Sequence, residues 1–236
     1  MQAGRTTVLM FPRPTRATWA LLAANGLGFL LQMVAPQLAV SLMLWPLDVG
    51  SHEPGLPRPD FMPWQLLTSA FLHADAGHLL FNMLALWMFG AMPQQVWNEK
   101  RFLTYYVVCV LAASLCQLLV ASVVVAQGGP AVPTLGASGG VYGLVLAFGM
   151  LFPAQRMLLF PIPVPLTART VAILFAAMSL LFGMLGSRDG VAHFAHLGGM
   201  LGGWLLIRHW RRRGGGPPRG GTRARTPAPR HLKVVK

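Results

Sequence analysis

The sequence predicts an all-α membrane protein, built as a bundle of six transmembrane helices with both chain termini in the cytoplasm. Of its 236 residues, 54% are hydrophobic and only 11% are charged, whereas an ordinary soluble domain carries about 25% charged residues. Six apolar runs approach the length of about 20 residues that a bilayer-spanning helix needs. The basic residues gather in the segments that one orientation places on a single side of the membrane.

The six apolar runs define a membrane domain over residues 18–210, between an N-terminal segment, 1–17, and a basic tail, 211–236. The first run contains no charge and is too long for the apolar part of a signal peptide, so it is expected to be retained. The fourth run is short and begins in a glycine cluster. The runs extend from about Thr18 to Leu44, Gly77 to Val96, Phe102 to Ala126, Ser138 to Phe152, Thr170 to Leu185 and Val191 to His209.

Charge predicts the orientation of the bundle. If the N-terminus is cytoplasmic, only Arg58 and Arg188 of the 19 basic residues fall outside, and only Glu99 of the six acidic residues falls inside. Cytoplasmic segments of membrane proteins are enriched in Lys and Arg, and the opposite orientation would invert this bias. Both termini are therefore expected in the cytoplasm.

The net charge of +13 does not indicate a nucleic-acid partner, because the basic residues crowd into the two ends of the chain. A nucleic-acid-binding domain would spread them over a folded face. The Arg/Gly/Pro-rich tail is expected to be disordered and attracted to anionic lipid. Cys109 and Cys116 lie seven apart on one apolar run, too far for a disulfide, and are interpreted as small core residues.

The first outside loop, about Trp45 to Ala76, is long and rich in both proline and large apolar residues. A fully solvated loop would not need that apolar content. The composition is typical of an amphipathic segment that lies partly in the bilayer interface.

A serine begins the fourth run, in the sequence Gly136-Ala137-Ser138-Gly139. A hydroxyl at a helix N-terminus lies among unpaired N–H groups, which would stabilise a developing oxyanion. The alternative is an N-cap serine followed by small residues that allow close helix packing.

A histidine in the last run, His196, is the second candidate. Ala195, Gly199 and Gly203 are spaced four apart and form a smooth face beside it, and Gly139, Gly143 and Ala147 form a matching stripe in the fourth run. Close packing of the two stripes would make Ser138 and His196 neighbours. A structural histidine bonded to a carbonyl is the alternative, and His193, one turn earlier, is a second possible base.

His78 and Asn82 share one face at the start of the second run. Two donors near a serine would complete an oxyanion hole, and the alternative is a polar clamp between helices. His73 and Asp75 precede them, but the chain has no HExxH motif and no intramembrane acid. No metal or cofactor is therefore expected.

Taken in order, His78-x-x-x-Asn82, Gly136-x-Ser138-Gly139 with Tyr142, and Ala195-His196-x-x-Gly199-x-x-x-Gly203 resemble the rhomboid intramembrane serine proteases in their bacterial six-span form. The resemblance covers about Trp64 to Trp204. It implies a protein of the cell (inner) membrane that cleaves transmembrane protein substrates within the lipid bilayer.

The resemblance also implies the role of each matched residue. Ser138 is the nucleophile and His196 the general base, without a third carboxylate. His78, Asn82 and the Ser138 N–H form the oxyanion hole, and Tyr142 packs against the His196 ring. Gly136, Gly139 and Gly199 support this arrangement.

The chain departs from the family pattern away from the chemistry. Many members carry Trp-Arg in the first loop, where this chain has Trp64-Gln65, and a Glu and a Gly after the second span, where it has Gln94 and Asn98. A transporter with a histidine proton relay is a rival interpretation, but the two halves show no inverted repeat. An inactive rhomboid-like binder would be expected to lack Ser138 or His196. The sequence does not indicate the oligomeric state.

Overall fold

The computed structural model describes residues 13–47, 59–159, 162–185 and 192–214, where α-helices pack around a short central one. Single turns of 3₁₀-helix lie at Ser69–Phe71 and Pro93–Gln95. The helices are α1 (Arg16–Val34), α2 (Pro36–Leu42), α3 (Gln65–Thr68), α4 (Ala76–Gly90), α5 (Glu99–Ala126), α6 (Ser138–Leu151), α7 (Ala168–Met184) and α8 (His193–Arg212).

The first apolar run is not one helix, so the expectation of a continuous span to Leu44 is wrong. Helix α1 ends at Val34, and Ala35 leaves the helical region with φ −139° and ψ 65°. The cause is Pro36, which lacks an N–H and disfavours the helical conformation of the residue before it. Helix α2 then starts at this proline and runs for only seven residues.

The expectation of an all-α chain is also wrong between α6 and α7. There the chain forms an antiparallel hairpin of strands β1 (Arg156–Leu159) and β2 (Ile162–Thr167). Pro163 and Pro165 exclude a helix because each removes a backbone donor. They are tolerated in a two-stranded hairpin, where each strand has a free edge.

Helix α6 is the centre of the bundle and contacts α4, α5, α7 and α8. Its 14 residues span about 21 Å, against about 42 Å for the 28 residues of α5. A helix that short is accommodated because other helices surround it.

The helices run in alternating directions, which separates the two ends of the bundle. The guanidinium of Arg101, near the start of α5, lies 4.2 Å from the ring centre of Trp210 near the end of α8. The side chain of Arg211 donates to the Met150 carbonyl near the end of α6. Helices α4, α6 and α8 therefore all begin at the opposite end, away from these basic residues.

The outer surface of the bundle is apolar, with Phe81 73% and Met184 74% exposed. Among the described residues, three helical segments are long and apolar enough to cross a bilayer, and α6 and α7 are shorter apolar helices. Helix α8 has 20 residues but a basic last turn. The protein is therefore an integral membrane protein.

Several sequence expectations fall wholly or partly outside the described residues. They concern the middle of the first outside loop, the turn that contains Arg188, and the basic tail beyond residue 214. Within the described part of that loop, α3 and a 3₁₀ turn carry exposed Trp64 and Leu67. Helix α1 begins at Arg16, two residues before the expected boundary.

Candidate active site

The turn before α6 delivers Ser138 to the centre of the bundle. Gly136 has a φ of +126°, and its N–H donates to the Ser69 carbonyl at 2.9 Å. A Cβ on Gly136 would lie only 2.9 Å from the His78 ring. The positive φ and this close approach each require glycine at the position. Helix α6 then starts at Ser138 with Ala137 as its N-cap, and the cap makes no side-chain hydrogen bond. Ser138 is thus not the N-cap serine of the alternative interpretation.

The hydroxyl of Ser138 instead reaches His196 on α8. The distance from Ser138 Oγ to His196 Nε2 is 2.9 Å, and His196 is 5% exposed. When the hydroxyl donates, Nε2 is the unprotonated ring nitrogen and accepts. The pair has the geometry of a nucleophile and its general base.

Tyr142 holds the plane of the His196 ring. The two rings are stacked with centroids 3.9 Å apart and an interplanar angle of 10°. Phe175 of α7 lies behind Tyr142 at 5.4 Å between centroids. Tyr142 is one turn after Ser138, so the helix that carries the hydroxyl also orients the imidazole.

His193 occupies a different environment from His196. Its ring packs against Phe182 of α7 at 5.6 Å and meets the His196 ring edge-on at 6.1 Å. The hydrogen bond to Ser138 comes from His196. The structure therefore separates two histidines that are only about 60° apart on the helical wheel.

Helix α8 approaches α6 at a glycine, but the two small-residue stripes do not face each other along their whole length. A Cβ on Gly199 would overlap the Gly139 carbonyl oxygen, so the two backbones touch there. Further along, Gly143 faces Cys109 and Gly203 faces the Tyr105 hydroxyl, both on α5. The dyad is thus built at a junction of three helices.

Helix α4 brings His78 to the same end of the bundle. Asp75 caps the helix by accepting from the His78 N–H at 2.8 Å. The His78 ring accepts at Nδ1 from the Ala74 N–H at 3.3 Å, so Nε2 carries the proton. Nε2 lies beside Gly136, 3.0 Å from where its Cβ would be. It is a donor that lines the same cavity as Ser138.

Asn82 lies one turn after His78 and is 7% exposed. Its amide nitrogen donates to the His78 carbonyl at 3.0 Å, and an amide nitrogen has a second N–H to offer. Asn82, His78 and Ser138 all line the same cavity. Three donor groups therefore surround one volume, including the Ser138 backbone N–H at the start of α6.

The cavity has a volume of about 1200 Å³ and extends from the dyad along the second half of α5 to the loop before α6. Its lining is mainly apolar. Besides the dyad, His78 and Asn82, its polar side chains are those of Ser69, Asp75, Ser114, Gln117 and Thr134. Among the described residues, no group of three His, Cys, Asp or Glu could hold a metal ion.

Sequence reasoning missed one polar residue that supports the site, Gln32 of α1. Its side chain accepts from the His73 N–H at 2.7 Å and donates to the His73 carbonyl at 2.9 Å. A polar residue inside an apolar span was the available signal.

The His73 ring is fully buried. Burial, and to a smaller extent the neighbouring His78, lowers the pKa of His73 to about 4, while Asp75 acts in the opposite direction.

The three departures from the family pattern have local roles. Gln65 is fully buried, accepts from the Trp45 N–H, and donates to the Ser41 carbonyl of α2 and the Asp60 carbonyl of the first loop. Gln94 donates to the Thr18 hydroxyl at 2.6 Å and connects the 3₁₀ turn after α4 to α1. Asn98 caps α5 by accepting from the Arg101 N–H.

A family model described as the Rhomboid domain matches residues 60–213. "Rhomboid protein 1, mitochondrial" of Saccharomyces cerevisiae is 35% identical over 61% of this chain and 42% of its own. "Rhomboid protease GluP" of Bacillus subtilis is 28% identical over 60% of this chain and 25% of its own. "Putative rhomboid protease YdcA" of that bacterium is 26% identical over 71% of this chain and 76% of its own.

The chain spans less than half the length of the first two of these relatives. The family model, in contrast, covers more than half of this chain, including α4 to α8 and every candidate site residue. The chain belongs to the rhomboid family.

Proposed function

We propose that the protein is an intramembrane serine endopeptidase that hydrolyses peptide bonds in or near transmembrane helices, using Ser138 and His196. The observation that carries this proposal is the 2.9 Å contact between Ser138 Oγ and His196 Nε2 inside a cavity. The relatives named as rhomboid proteases support the same activity.

Each group at the site has a role in the reaction. Ser138 Oγ attacks the carbonyl carbon of the scissile bond while His196 Nε2 takes the hydroxyl proton. The negative charge on the former carbonyl oxygen is stabilised by His78 Nε2–H, the Asn82 amide and the Ser138 backbone N–H. His196 then returns the proton to the leaving amine. Water, deprotonated by His196, then attacks the acyl-enzyme carbonyl. The bond to Ser138 Oγ breaks, His196 gives that proton to Oγ, and the new carboxyl end leaves.

The stacked Tyr142 substitutes for a third catalytic carboxylate as the group that orients the base. A triad aspartate holds the imidazole by a hydrogen bond, whereas here an aromatic face fixes the ring plane at 10°. Van der Waals contact keeps the ring in place without adding a charge at membrane depth, where an unpaired charge is costly.

The cavity supplies the water that hydrolysis needs within a bilayer. Its lining includes the loop before α6 and the starts of α4, α6 and α8, all at one end of the bundle. The substrate is a membrane protein whose helix has small or helix-breaking residues near its outer end, because an intact helix hides its carbonyls from the serine. No cofactor takes part in this reaction.

The enzyme is a multi-pass protein of the cell (inner) membrane with six spans and cytoplasmic termini. In this orientation the dyad end faces outward and the basic ends of α5 and α8 face the cytoplasm. The basic tail, 211–236, adds positive charge to the cytoplasmic side.

Fluorophosphonate labelling of the protein in liposomes tests the proposal, because the reagent bonds covalently to an activated serine. We expect labelling and cleavage of a model transmembrane substrate by the parent chain, and loss of both in Ser138→Ala. Ser41→Ala is the matched control, since Ser41 Oγ only bonds the Leu38 carbonyl on α2. Cleavage by Ser138→Ala at the parent rate would overturn the proposal.

A further inference from the structure

Helix α1 touches the segment before α4 through two residues one turn apart. A Cβ on Gly28 would overlap the Phe71 carbonyl oxygen, so the α1 backbone lies directly against residue 71. One turn later, Gln32 makes both of its hydrogen bonds to the His73 backbone, accepting at 2.7 Å and donating at 2.9 Å. The Gln32 side-chain amide thus pairs with the N–H and the carbonyl of His73, as a residue of a neighbouring strand would. These two bonds fix the orientation of the backbone at His73.

The next peptide group connects the fixed His73 backbone to the His78 ring. The Ala74 N–H, adjacent to the clamped His73, donates to His78 Nδ1 at 3.3 Å. A donor at Nδ1 requires that nitrogen to be unprotonated, so the proton of the neutral ring lies on Nε2. The side chain of His73 also meets the His78 ring edge-on, with centroids 5.0 Å apart.

We propose that Gln32 is a positioning residue that keeps His78 in the tautomer with its proton on Nε2 and aims that proton at the oxyanion. This inference rests on the proposed function, because it assigns Gln32 to the same reaction. Gln32 does not act on substrate. It acts through the backbone of His73 and Ala74.

The consequence of losing Gln32 follows from the two tautomers of a neutral imidazole. If the Ala74 N–H turns away, the proton is free to lie on Nδ1, and Nε2 then presents a lone pair to the oxyanion. A lone pair repels the charge that a donor would stabilise. The defect should therefore appear in kcat and leave substrate binding in the apolar cavity largely unchanged.

Gln32→Met tests this role, because methionine preserves the length and apolar stem of the side chain and removes both hydrogen bonds. The measurement is turnover of a transmembrane substrate in liposomes, normalised to fluorophosphonate-reactive enzyme. We expect kcat to fall by about tenfold or somewhat more. Deleting an oxyanion donor outright typically costs about 10²- to 10³-fold, so this loss should be smaller. The KM should stay within about twofold of the parent value. Gln37→Met is the control, since Gln37 is an exposed glutamine of the adjacent helix α2.

A double mutant separates positioning from general support of the fold. If Gln32 acts through His78, adding Gln32→Met to His78→Ala should lower kcat no further than His78→Ala alone. Losses that multiply would overturn the inference. So would a Gln32→Met enzyme with the parent kcat. Neither result would affect the proposed protease activity, which fails only if Ser138 is unreactive or dispensable in the parent chain.

Nitrogen-15 spectra of histidine-labelled protein give a readout that does not depend on turnover. The signals of His78 are identified by their loss in His78→Ala. We expect a protonated Nε2 in the parent chain and a mixture of both tautomers in Gln32→Met. Gln32→Leu, which also removes both hydrogen bonds, serves if Gln32→Met does not fold. An unchanged spectrum in every folded Gln32 variant would overturn the inference.

Discussion

His196 and His193 lie three residues apart on α8, and His196 is the one that the structure places in hydrogen-bonding contact with the Ser138 hydroxyl, at 2.9 Å. His193 packs on Phe182 instead. Side chains three apart on a helix share a face, so the position of α6 decides which one meets the serine. The difference is one of packing partners, and it gives opposite expectations for two otherwise similar substitutions.

We expect His196→Ala to abolish cleavage, because His196 Nε2 is the group that lies 2.9 Å from the Ser138 hydroxyl and can accept its proton. His193→Ala should retain substantial activity, since it removes a ring that packs against Phe182 and the edge of His196. The measurement is cleavage of a transmembrane substrate in liposomes at equal amounts of folded enzyme. An active His196→Ala together with an inactive His193→Ala would reverse the assignment.

A second prediction at this scale concerns the oxyanion donors. Asn82→Ala should lower kcat by about 10² or less, the lower end of the loss for removing one donor, because His78 and the Ser138 N–H stay in place. His78→Ala should cost at least as much. The double mutant should lose less than the product of the two single losses, since the donors act on one charge.

Melting temperature provides the control for this prediction. If Asn82 only clamps its helix through the His78 carbonyl, Asn82→Ala should lower the melting temperature and leave the activity per folded molecule intact. Full activity in both single mutants would return His78 and Asn82 to a structural role.

Among the elements, the contact of α6 with α8 sets the distance between Ser138, the proposed nucleophile, and His196, the proposed base. Gly199 and Gly139 meet backbone to backbone, and no neighbouring side chain could move aside to make room. Any side chain at residue 199 must therefore push the two helices apart. A shift of about 1 Å at a catalytic pair is enough to reduce the rate by about 10²-fold.

Gly199→Ala should therefore lose most of its activity and about 1–3 kcal/mol of stability, as expected for overpacking. Gly26→Ala is the matched control, because a Cβ at that position in α1 meets no atom within 4 Å. There we expect unchanged activity and equal or higher stability, since alanine favours a helix over glycine. The measurements are turnover and thermal unfolding in one detergent. Full activity in Gly199→Ala would contradict the close contact.

Over the whole molecule, the two ends of the bundle differ in charge and chemistry. The dyad and its cavity are at the end where α4, α6 and α8 begin. The other end of the bundle carries the basic residues of the start of α5, of the hairpin and of the end of α8. The proposed orientation puts the first end outside the cytoplasm.

This orientation predicts the accessibility of two exposed positions at opposite ends of the bundle. A cysteine introduced as Gln127→Cys, after α5, should react with a membrane-impermeant maleimide added outside intact cells. A cysteine introduced as Arg156→Cys, in the hairpin, should react only after the membrane is opened. The unsubstituted chain, with Cys109 and Cys116, gives the background. The reverse pattern would contradict the outward-facing cavity.

The sequence by itself determined the membrane class, the approximate extent of the apolar helices after the first loop, and the family. The reason is that these properties are local. Apolar length reflects the thickness of the hydrocarbon core, and the spacing of His78 and Asn82, or of Ala195, Gly199 and Gly203, follows the period of a single helix. The expectation of one continuous first span was wrong because Pro36 divides that run into two helices. The hairpin was missed although the prolines of its second strand are visible in the sequence.

Only the tertiary structure decided which side chains meet. It placed His196 rather than His193 against Ser138, directed Gly143 and Gly203 toward α5, and brought Gln32 to the backbone beside His78. The hydrogen bond between Ser138 and His196, for example, joins residues 58 positions apart in the chain. Their geometry depends on how helices rotate and approach one another, and a periodicity read along one helix contains no information about the rotation of its neighbour.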